Sequence, residues 1–196
     1  MDSSRRALTN PMTANSEHHR RSIRLKDYDY TQARAYYVTI VVQGRGCTLG
    51  TITNGDMHLN MAGEIVQAAW EDLPRHYPHV VLGEFCVMPN HVHGIIILTD
   101  DDYRTGGSCR GGSEARPYPN HPTTRHGLPE IVRAFKSFSA RRINQLRRDS
   151  GSAFWQRNYY EHIIRNAAEL ERISAYIRHN PSQWDRDTEN PDVASP

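Results

Sequence analysis

This sequence is poor in cysteine, in long apolar runs and in net charge. Its three cysteines, Cys47, Cys86 and Cys109, are odd in number and widely spaced, which argues against a disulfide framework or a zinc knuckle and favours a reducing cytoplasm. No apolar run approaches the roughly 18–20 residues that span a bilayer. The N-terminal residues also lack the apolar segment of a secretory signal. We therefore expect a cytoplasmic protein with no membrane partner.

The net charge of +2 indicates no partner by itself, but the charges are distributed unevenly. Residues 126–180 hold ten Lys and Arg against five Asp and Glu, an excess of five positive charges with histidine neutral. Such a basic stripe suits a polyanion such as nucleic acid, although many solvated helix faces have the same composition.

The length suits one domain with polar ends. Residues 1–33 are polar and aperiodic, which predicts a flexible N-terminal arm, and residues 183–196 predict an acidic C-terminal tail. A single domain is expected over residues 34–182. Within it, residues 99–126 are rich in glycine and proline and predict a long mobile loop.

Hydrophobic periodicity predicts the element order β-β-α-β-β-α-β-α. The predicted strands cover residues 35–45, 47–53, 79–88, 91–98 and 154–165, and the predicted helices cover residues 57–77, 128–148 and 166–181. The buried stripe of the second helix is expected to contain Leu128, Ile131, Val132, Phe135, Phe138, Ile143 and Leu146. This order predicts an α+β fold with the helices on one face of a central antiparallel sheet.

His91 and His93 are the first candidate site residues. Residues two apart on a strand point to the same face, so both imidazoles project together and are able to hold one divalent cation. Their strand is almost wholly apolar, which makes it an unusual place for two solvated histidines. The alternative is that they are ordinary polar residues of an exposed sheet face.

Tyr176 and Asn180 are the second candidate pair. They lie four residues apart on a predicted helix and therefore on one of its faces. A tyrosine can act as a covalent nucleophile, and an asparagine oxygen is a suitable ligand for Mg²⁺ or Mn²⁺. Spacing alone equally allows a tyrosine without a catalytic role and an asparagine that merely ends the helix before Pro181.

Three ordered blocks in the chain resemble the single-tyrosine HUH transposases, and most closely the REP-associated tyrosine transposases. These blocks are MPNHVHGIIIL, a central helix containing FKS, and FWQRNYYEHIIRNAAELERISAYIRHNP. The resemblance covers about residues 33–182 and implies a ferredoxin-like HUH fold. The hydrophobic middle residue of the HUH triplet corresponds to Val92.

The resemblance also implies a reaction and roles for individual residues. Tyr176 falls on the nucleophile, and His91, His93 and Asn180 fall on the ligands of Mg²⁺ or Mn²⁺. The implied reaction cleaves and rejoins single-stranded DNA at hairpin sites through a 5′-phosphotyrosine. Tyr159 and Tyr160 remain rival nucleophiles, and the chain is expected to act as a monomer or a homodimer.

DNA contacts are expected from the basic face of the 128–148 helix and from the block that precedes Tyr176. Trp155 is alternatively a core residue. His162 is alternatively a core histidine or a residue that supports a metal ligand without binding the metal itself. The candidate DNA-binding residues are Arg133, Lys136, Arg141, Arg142, Trp155, Arg157, His162 and Arg165.

Two other functions remain open from the sequence. One is a domesticated module that binds hairpin DNA without cleaving or moving it. The other is a metal hydrolase that uses His91 and His93 without a covalent tyrosine. The presence of His91, His93, Tyr176 and Asn180 together favours the transposase.

Overall fold

The computed structural model describes residues 28–100, 126–149 and 151–193. Most of the predicted N-terminal arm and most of the predicted 99–126 loop lie outside these described residues. The strands are β1 (Ala35–Val41), β2 (Gly50–Thr53), β3 (Asp56–Leu59), β4 (Val80–Val87), β5 (His91–Leu98) and β6 (Tyr160–Ile164). The α-helices are α1 (Met61–Glu71), α2 (Leu73–His76), α3 (Leu128–Arg147) and α4 (Ala167–His179), and short 3₁₀ helices cover Gln43–Arg45 and Pro181–Arg186.

The central sheet has four strands in the order β4-β5-β1-β6, all antiparallel to their neighbours. The predicted hairpin of β4 and β5 is present, with Met88, Pro89 and Asn90 as its connection. Helices and an antiparallel sheet thus form the α+β fold that the sequence predicts. Among the described residues, no helix is long and apolar enough to cross a membrane.

The second predicted strand does not join this sheet. β2 instead pairs with β3, a strand that the sequence analysis missed, in a separate two-stranded hairpin. Its turn is Asn54-Gly55, where both residues have positive φ (55° and 84°), as a two-residue hairpin turn requires. The predicted helix therefore begins later than residue 57: the side chain of Asn60 caps α1 by accepting from the main-chain N–H groups of Ala62 and Gly63.

The helices cover both faces of the sheet, so the prediction that they share one face is wrong in this detail. One core cluster joins Val38 and Val92 of the sheet to α1 and α3, which supply residues such as Val66 and Phe135. A second cluster joins Ile95 and Ile164 to Ile173 and Ile177 of α4 on the opposite face. β5 is buried on both faces, and β1 is buried on one face and half-buried on the other. Their sequences are nearly continuous apolar runs, which do not indicate how many faces are covered.

Two further predictions differ from the structure near α3. Phe138 and Leu146 are 44% and 46% exposed, so they lie outside the buried stripe, and the Phe138 ring stacks on His76. The predicted 154–165 strand is also shorter. Tyr160–Ile164 joins the sheet as a strand, while Trp155 makes a single antiparallel bridge to Val42 and packs with Phe154 into the core that α3 covers.

Candidate active site

His91 and His93 lie on the face of the sheet that α4 covers, in the same alternation as Ile95. Both are buried, with 0% and 4% of their surfaces exposed. Their Nε2 atoms face each other at 2.9 Å. The expected juxtaposition of the two imidazoles is therefore present, at a buried position.

The Nδ1 atom of each histidine has an outer partner. Asn90 donates its side-chain N–H groups to the carbonyls of Arg45 and Glu189, which leaves Asn90 Oδ1 to accept from His91 Nδ1 at 2.8 Å. His93 Nδ1 lies 2.7 Å from the Tyr37 hydroxyl oxygen and 2.9 Å from that of Thr39, and the Thr39 hydroxyl donates to Tyr37. When both Nδ1 atoms carry the proton, each Nε2 atom has a lone pair available for a metal.

Burial lowers the pKa of both His91 and His93 from 6.5 to about 3. The rings are therefore neutral at neutral pH, which is the state that binds a metal. The 2.9 Å between the two Nε2 atoms fits one N–H···N hydrogen bond, and a cation beside them would require the lone pairs of both.

Asp187 completes a three-residue group that sequence reasoning did not find. One carboxylate oxygen lies 3.8 Å from His91 Nε2, and ligand atoms of His91, His93 and Asp187 lie within 4.8 Å of one another. The sequence analysis placed Asp187 in an acidic tail outside the domain. An acidic residue among several others carries no signal that would have singled it out.

The segment that carries Asp187 is packed against the site. Glu189 accepts from Asn90 through its main-chain oxygen at 2.6 Å, and its carboxylate lies 3.4 Å from Arg45 Nε. The Trp184 ring lies 6.1 Å from the His91 ring, and Asn190 is 6% exposed. Residues 183–193 therefore belong to the folded unit, and we propose that the domain extends beyond residue 182.

Tyr176 and Asn180 of α4 reach the same place. The ring centroid of Tyr176 lies 5.5 Å from that of His93, and Tyr176 is 46% exposed. Asn180 is 2% exposed, and its Oδ1 is buried with no hydrogen-bond partner among the described residues. Burial and the nearby Asp187 carboxylate raise the pKa of Tyr176, whereas hydrogen bonding to Asn180 and Tyr37 lowers it.

This donor set fits a hard divalent cation. It combines two neutral imidazoles with a carboxylate, and the orphaned amide oxygen of Asn180 supplies a further hard oxygen. A buried oxygen without a hydrogen-bond partner destabilises the folded state by roughly 1–3 kcal/mol. A cation bound by this oxygen would remove that destabilisation.

Two of the eight predicted DNA contacts have other roles in the structure. Trp155 is 5% exposed, and its indole N–H donates to the hydroxyl of Ser139 on α3, so it is a core residue rather than a stacking surface. The ammonium group of Lys136 donates to the main-chain carbonyls of Gln156 and Arg157 at 2.6 and 2.9 Å. Lys136 thus tethers the segment before β6 to α3.

The other six lie on two different sides of the sheet. Arg133 and Arg157 line a common cleft of about 660 Å³ on the α3 side, together with Tyr30 and Tyr159. Arg141 and Arg142 are exposed further along α3. His162 lies on the α4 side, where its Nε2 contacts a Glu169 carboxylate oxygen at 2.8 Å, and Arg165 is exposed at the end of β6.

Comparisons with known proteins agree with this architecture. The family described as IS200-like transposase matches residues 121–180. An uncharacterized protein of Haemophilus influenzae (strain ATCC 51907 / DSM 11121 / KW20 / Rd) is 39% identical over 174 residues, which cover 87% of this chain and 92% of that protein. A putative REP-associated tyrosine transposase of the same strain is 30% identical over 155 residues, covering 78% and 73% of the two chains.

A solved structure of a REP-associated tyrosine transposase bound to a REP hairpin has a similar fold. The TM-score is 0.53 at 18% sequence identity, and the alignment covers 81% of this chain and 74% of the other. At this identity the likeness concerns the arrangement of helices and strands.

Proposed function

Because the chain belongs to the REP-associated tyrosine transposases, within the IS200-like transposases, we propose that it cuts and rejoins single-stranded DNA at hairpin sites with Tyr176 as its nucleophile. The observation that carries the proposal is the meeting of four predicted residues at one place. Tyr176 lies beside His93, His93 faces His91, and Asn180 is buried one helical turn from Tyr176.

We propose that His91, His93 and Asp187, with Asn180, would hold one divalent cation, Mg²⁺ or Mn²⁺. Such a cation, when bound, polarises a phosphoryl oxygen of the DNA and offsets the charge that develops on it. Hydrogen bonds at Nδ1 orient the two rings so that their Nε2 atoms point into the site: His91 is held by Asn90, and His93 by Tyr37 and Thr39.

In the proposed step, the Tyr176 hydroxyl oxygen attacks the scissile phosphorus. A bond forms between this oxygen and phosphorus, the bond from phosphorus to the 3′ oxygen breaks, and the phenol proton is balanced by the proton gained on the 3′ hydroxyl. The product is a 5′-phosphotyrosine and a free 3′ end. Since the number of phosphodiester bonds is conserved, rejoining needs no nucleotide cofactor.

Hairpin DNA is the substrate that best suits the rest of the molecule. The solved structure of similar fold is described with a REP hairpin bound to it. On this chain, the exposed Arg133, Arg141, Arg142 and Arg157 form a basic surface on the α3 side, which suits the phosphates of a duplex stem. The Tyr176 ring lies 5.5 Å from the His93 ring of its own chain, and we propose that Tyr176 acts in cis.

The proposal is tested by incubating the protein with Mn²⁺ and a 3′-labelled hairpin oligonucleotide that carries single-stranded flanks. Denaturing gels should show a covalent protein–DNA adduct with the wild-type chain and none with Tyr176→Phe. Both proteins should bind the hairpin equally well in a native gel, because the phenylalanine keeps the ring. Tyr28→Phe is a matched control, because Tyr28 is remote in sequence and packs against the α1–α3 core.

The outcomes separate the alternatives. Binding without any adduct would support a domesticated hairpin-binding module. Cleavage that persists in Tyr176→Phe would refute the tyrosine mechanism and support a metal hydrolase.

A further inference from the structure

A second cleft, of about 480 Å³, lies beside Tyr176 on the α4 side of the sheet. Its lining is Tyr37, Tyr160, His162, Arg172, Ile173 and Tyr176. Three of these six side chains are tyrosines, one is a histidine and one is an arginine. Aromatic rings therefore form much of the cleft's lining, and the positively charged Arg172 side chain also borders it.

The cleft continues the row of residues that contains His93. Cys86, His93, Thr39 and Tyr160 are register partners on four successive strands, so their side chains lie in one line across the same face. Strands are spaced by about 4.8 Å, which places Tyr160 roughly 10 Å from His93. This distance is between one and two nucleotide steps of an extended single strand.

The Tyr160 side chain is largely exposed and does not belong to the hydrophobic core. It is 56% exposed, and its ring touches Tyr37 edge-on at 6.1 Å between centroids. β6 is the outermost strand of the sheet, and no described strand pairs with its other edge. The β6 edge next to Tyr160 is therefore not covered by another strand in the described part of the chain.

The three tyrosine rings of the cleft contact one another edge-on. Tyr37 stands roughly perpendicular to both Tyr160 and Tyr176, at 68° and 83°, so its contacts with them are not face-to-face stacking. Arg172 has 73% of its side chain exposed, and its guanidinium lies 3.7 Å from the Glu169 carboxylate, close enough to be held at the rim.

We propose that this cleft is a stacking subsite for one unpaired base next to the scissile phosphate, with Tyr160 as the stacking residue and Arg172 as a phosphate contact. The inference rests on the proposed function, because it takes the position of Tyr176 to mark the scissile phosphate. Aromatic side chains bind unpaired bases of any sequence through their faces, and an adjacent cation neutralises the backbone. Stacking here would hold the strand so that its phosphate stays in reach of Tyr176, which makes Tyr160 a positioning residue.

The test uses binding and crosslinking, neither of which requires cleavage. The background is Tyr176→Phe with Mn²⁺, and the probe is a fluorescein-labelled hairpin oligonucleotide with thymine flanks. We expect Tyr160→Ala to weaken binding of this probe about 10-fold in fluorescence anisotropy, and Tyr160→Phe to restore it. Met61→Ala is the control, since Met61 is 58% exposed at the start of α1 and belongs neither to this cleft nor to α3.

The same probe with 5-iododeoxyuridine at single flank positions gives a direct readout. Irradiation should crosslink one flank position to Tyr160, as identified by mass spectrometry of the peptide. Equal affinities of Tyr160→Ala, Tyr160→Phe and the parent, or crosslinks that avoid Tyr160 at every position, would overturn the subsite. These results are independent of the adduct assay: a wild-type chain that forms no adduct but crosslinks at Tyr160 would refute the nucleophile and retain the subsite.

Discussion

At the residue scale, the candidate metal ligands depend on neighbours that orient their rings. His91 Nδ1 contacts Asn90 Oδ1, and His93 Nδ1 contacts the hydroxyls of Tyr37 and Thr39, so the Nε2 atoms of both histidines face the site. None of these neighbours could be recognised from the sequence as part of the site. Asn90 precedes the H-x-H motif directly, whereas Thr39 is 54 residues away and is brought into place only by the pairing of β1 with β5.

Asp187 gives the first prediction at this scale. Asp187→Asn keeps the shape of the side chain but removes its negative charge, so Mn²⁺ affinity should fall by at least about 10-fold. Isothermal titration calorimetry of the DNA-free protein measures this directly. Asp185→Asn is the control, because Asp185 is exposed in the 3₁₀ helix that ends just before Asp187. Equal losses in the two variants would show that Asp187 is not a ligand.

The buried histidines also predict a dependence of stability on pH. In the folded protein both rings stay neutral down to about pH 3, whereas in the unfolded chain they protonate near pH 6.5. The unfolded state therefore binds more protons between these values, and the free energy of unfolding falls as the pH falls below 6.5. Each histidine should therefore lower the free energy of unfolding by roughly 2 kcal/mol at pH 5 relative to neutral pH.

Urea unfolding at pH 7 and pH 5 in the presence of a chelator measures this effect. The double variant His91→Gln, His93→Gln should lose clearly less stability between the two pH values than the wild-type chain. The same loss in both proteins would assign the acid sensitivity to other groups.

At the scale of elements, the two faces of β5 contact different helices, and each face restricts which residues fit there. His93 points to the α4 side, and the next residue, Gly94, lies against the Trp70 ring of α1. A Cβ atom at Gly94 would approach Trp70 Cζ2 to 2.4 Å and Phe85 Cδ2 to 3.0 Å. The Trp70 ring is itself held by stacking on Phe85 at 4.5 Å, so it has little room to move.

Gly94→Ala should therefore lower the free energy of unfolding by about 1–3 kcal/mol through overpacking. Gly46→Ala is the control, since its Cβ would meet only Thr48 Cγ2 at 3.5 Å, an ordinary contact. Its effect should be within about 0.5 kcal/mol. Urea denaturation of both variants checks the prediction, and a Gly94→Ala variant as stable as the Gly46→Ala variant would contradict it.

The sequence predicted elements whose periodicity is strong and missed those set by long-range packing. The β4–β5 hairpin, α3 and α4 follow from their apolar patterns and from capping by Asn166, whose side chain accepts from Glu169 N–H as expected of an N-cap. β3 was taken as the start of a helix because four residues are too few to show a period of two. The side of the sheet that α4 covers was not predictable, since β1 and β5 are apolar on both faces.

Only those residues of the candidate site that belong to recognisable sequence motifs were predictable. His91, His93, Tyr176 and Asn180 came from spacing and resemblance, and the structure brings them together. Asp187 was missed because its segment has a polar composition typical of a tail. Trp155 was listed as a DNA contact, yet its indole N–H has a buried partner in Ser139, a pairing 16 residues apart that no local pattern indicates.

At the scale of the whole molecule, the sheet separates two surfaces. The proposed catalytic residues lie on the α4 side, whereas Arg133 and Arg157 lie on the α3 side, in a cleft bordered by Tyr30. If the hairpin stem lies along this α3 surface, as proposed, its single-stranded flank has to reach the opposite face of the sheet to meet Tyr176. Binding and cleavage should then be separable by mutation.

Salt dependence tests the proposed stem surface. The double variant Arg133→Ala, Arg157→Ala should reduce the slope of log K against log salt by roughly 2 for hairpin DNA, one unit for each lost phosphate contact. Arg75→Ala is the control, because Arg75 is exposed on α2 and pairs with Asp72. Fluorescence anisotropy at several salt concentrations measures the slopes, and an unchanged slope in the double variant would place the stem elsewhere.

The central claim is that Tyr176 becomes covalently joined to DNA at the site formed by His91 and His93. It is tested most directly by trapping the adduct of the wild-type chain with hairpin DNA and Mn²⁺, digesting protein and DNA, and locating the nucleotide-bearing tyrosine by mass spectrometry. The account predicts a phosphodiester-linked nucleotide on Tyr176 and none when His91 and His93 are both replaced by Gln. A nucleotide found on Tyr159 or Tyr160, or cleavage with no nucleotide on any tyrosine, would contradict it.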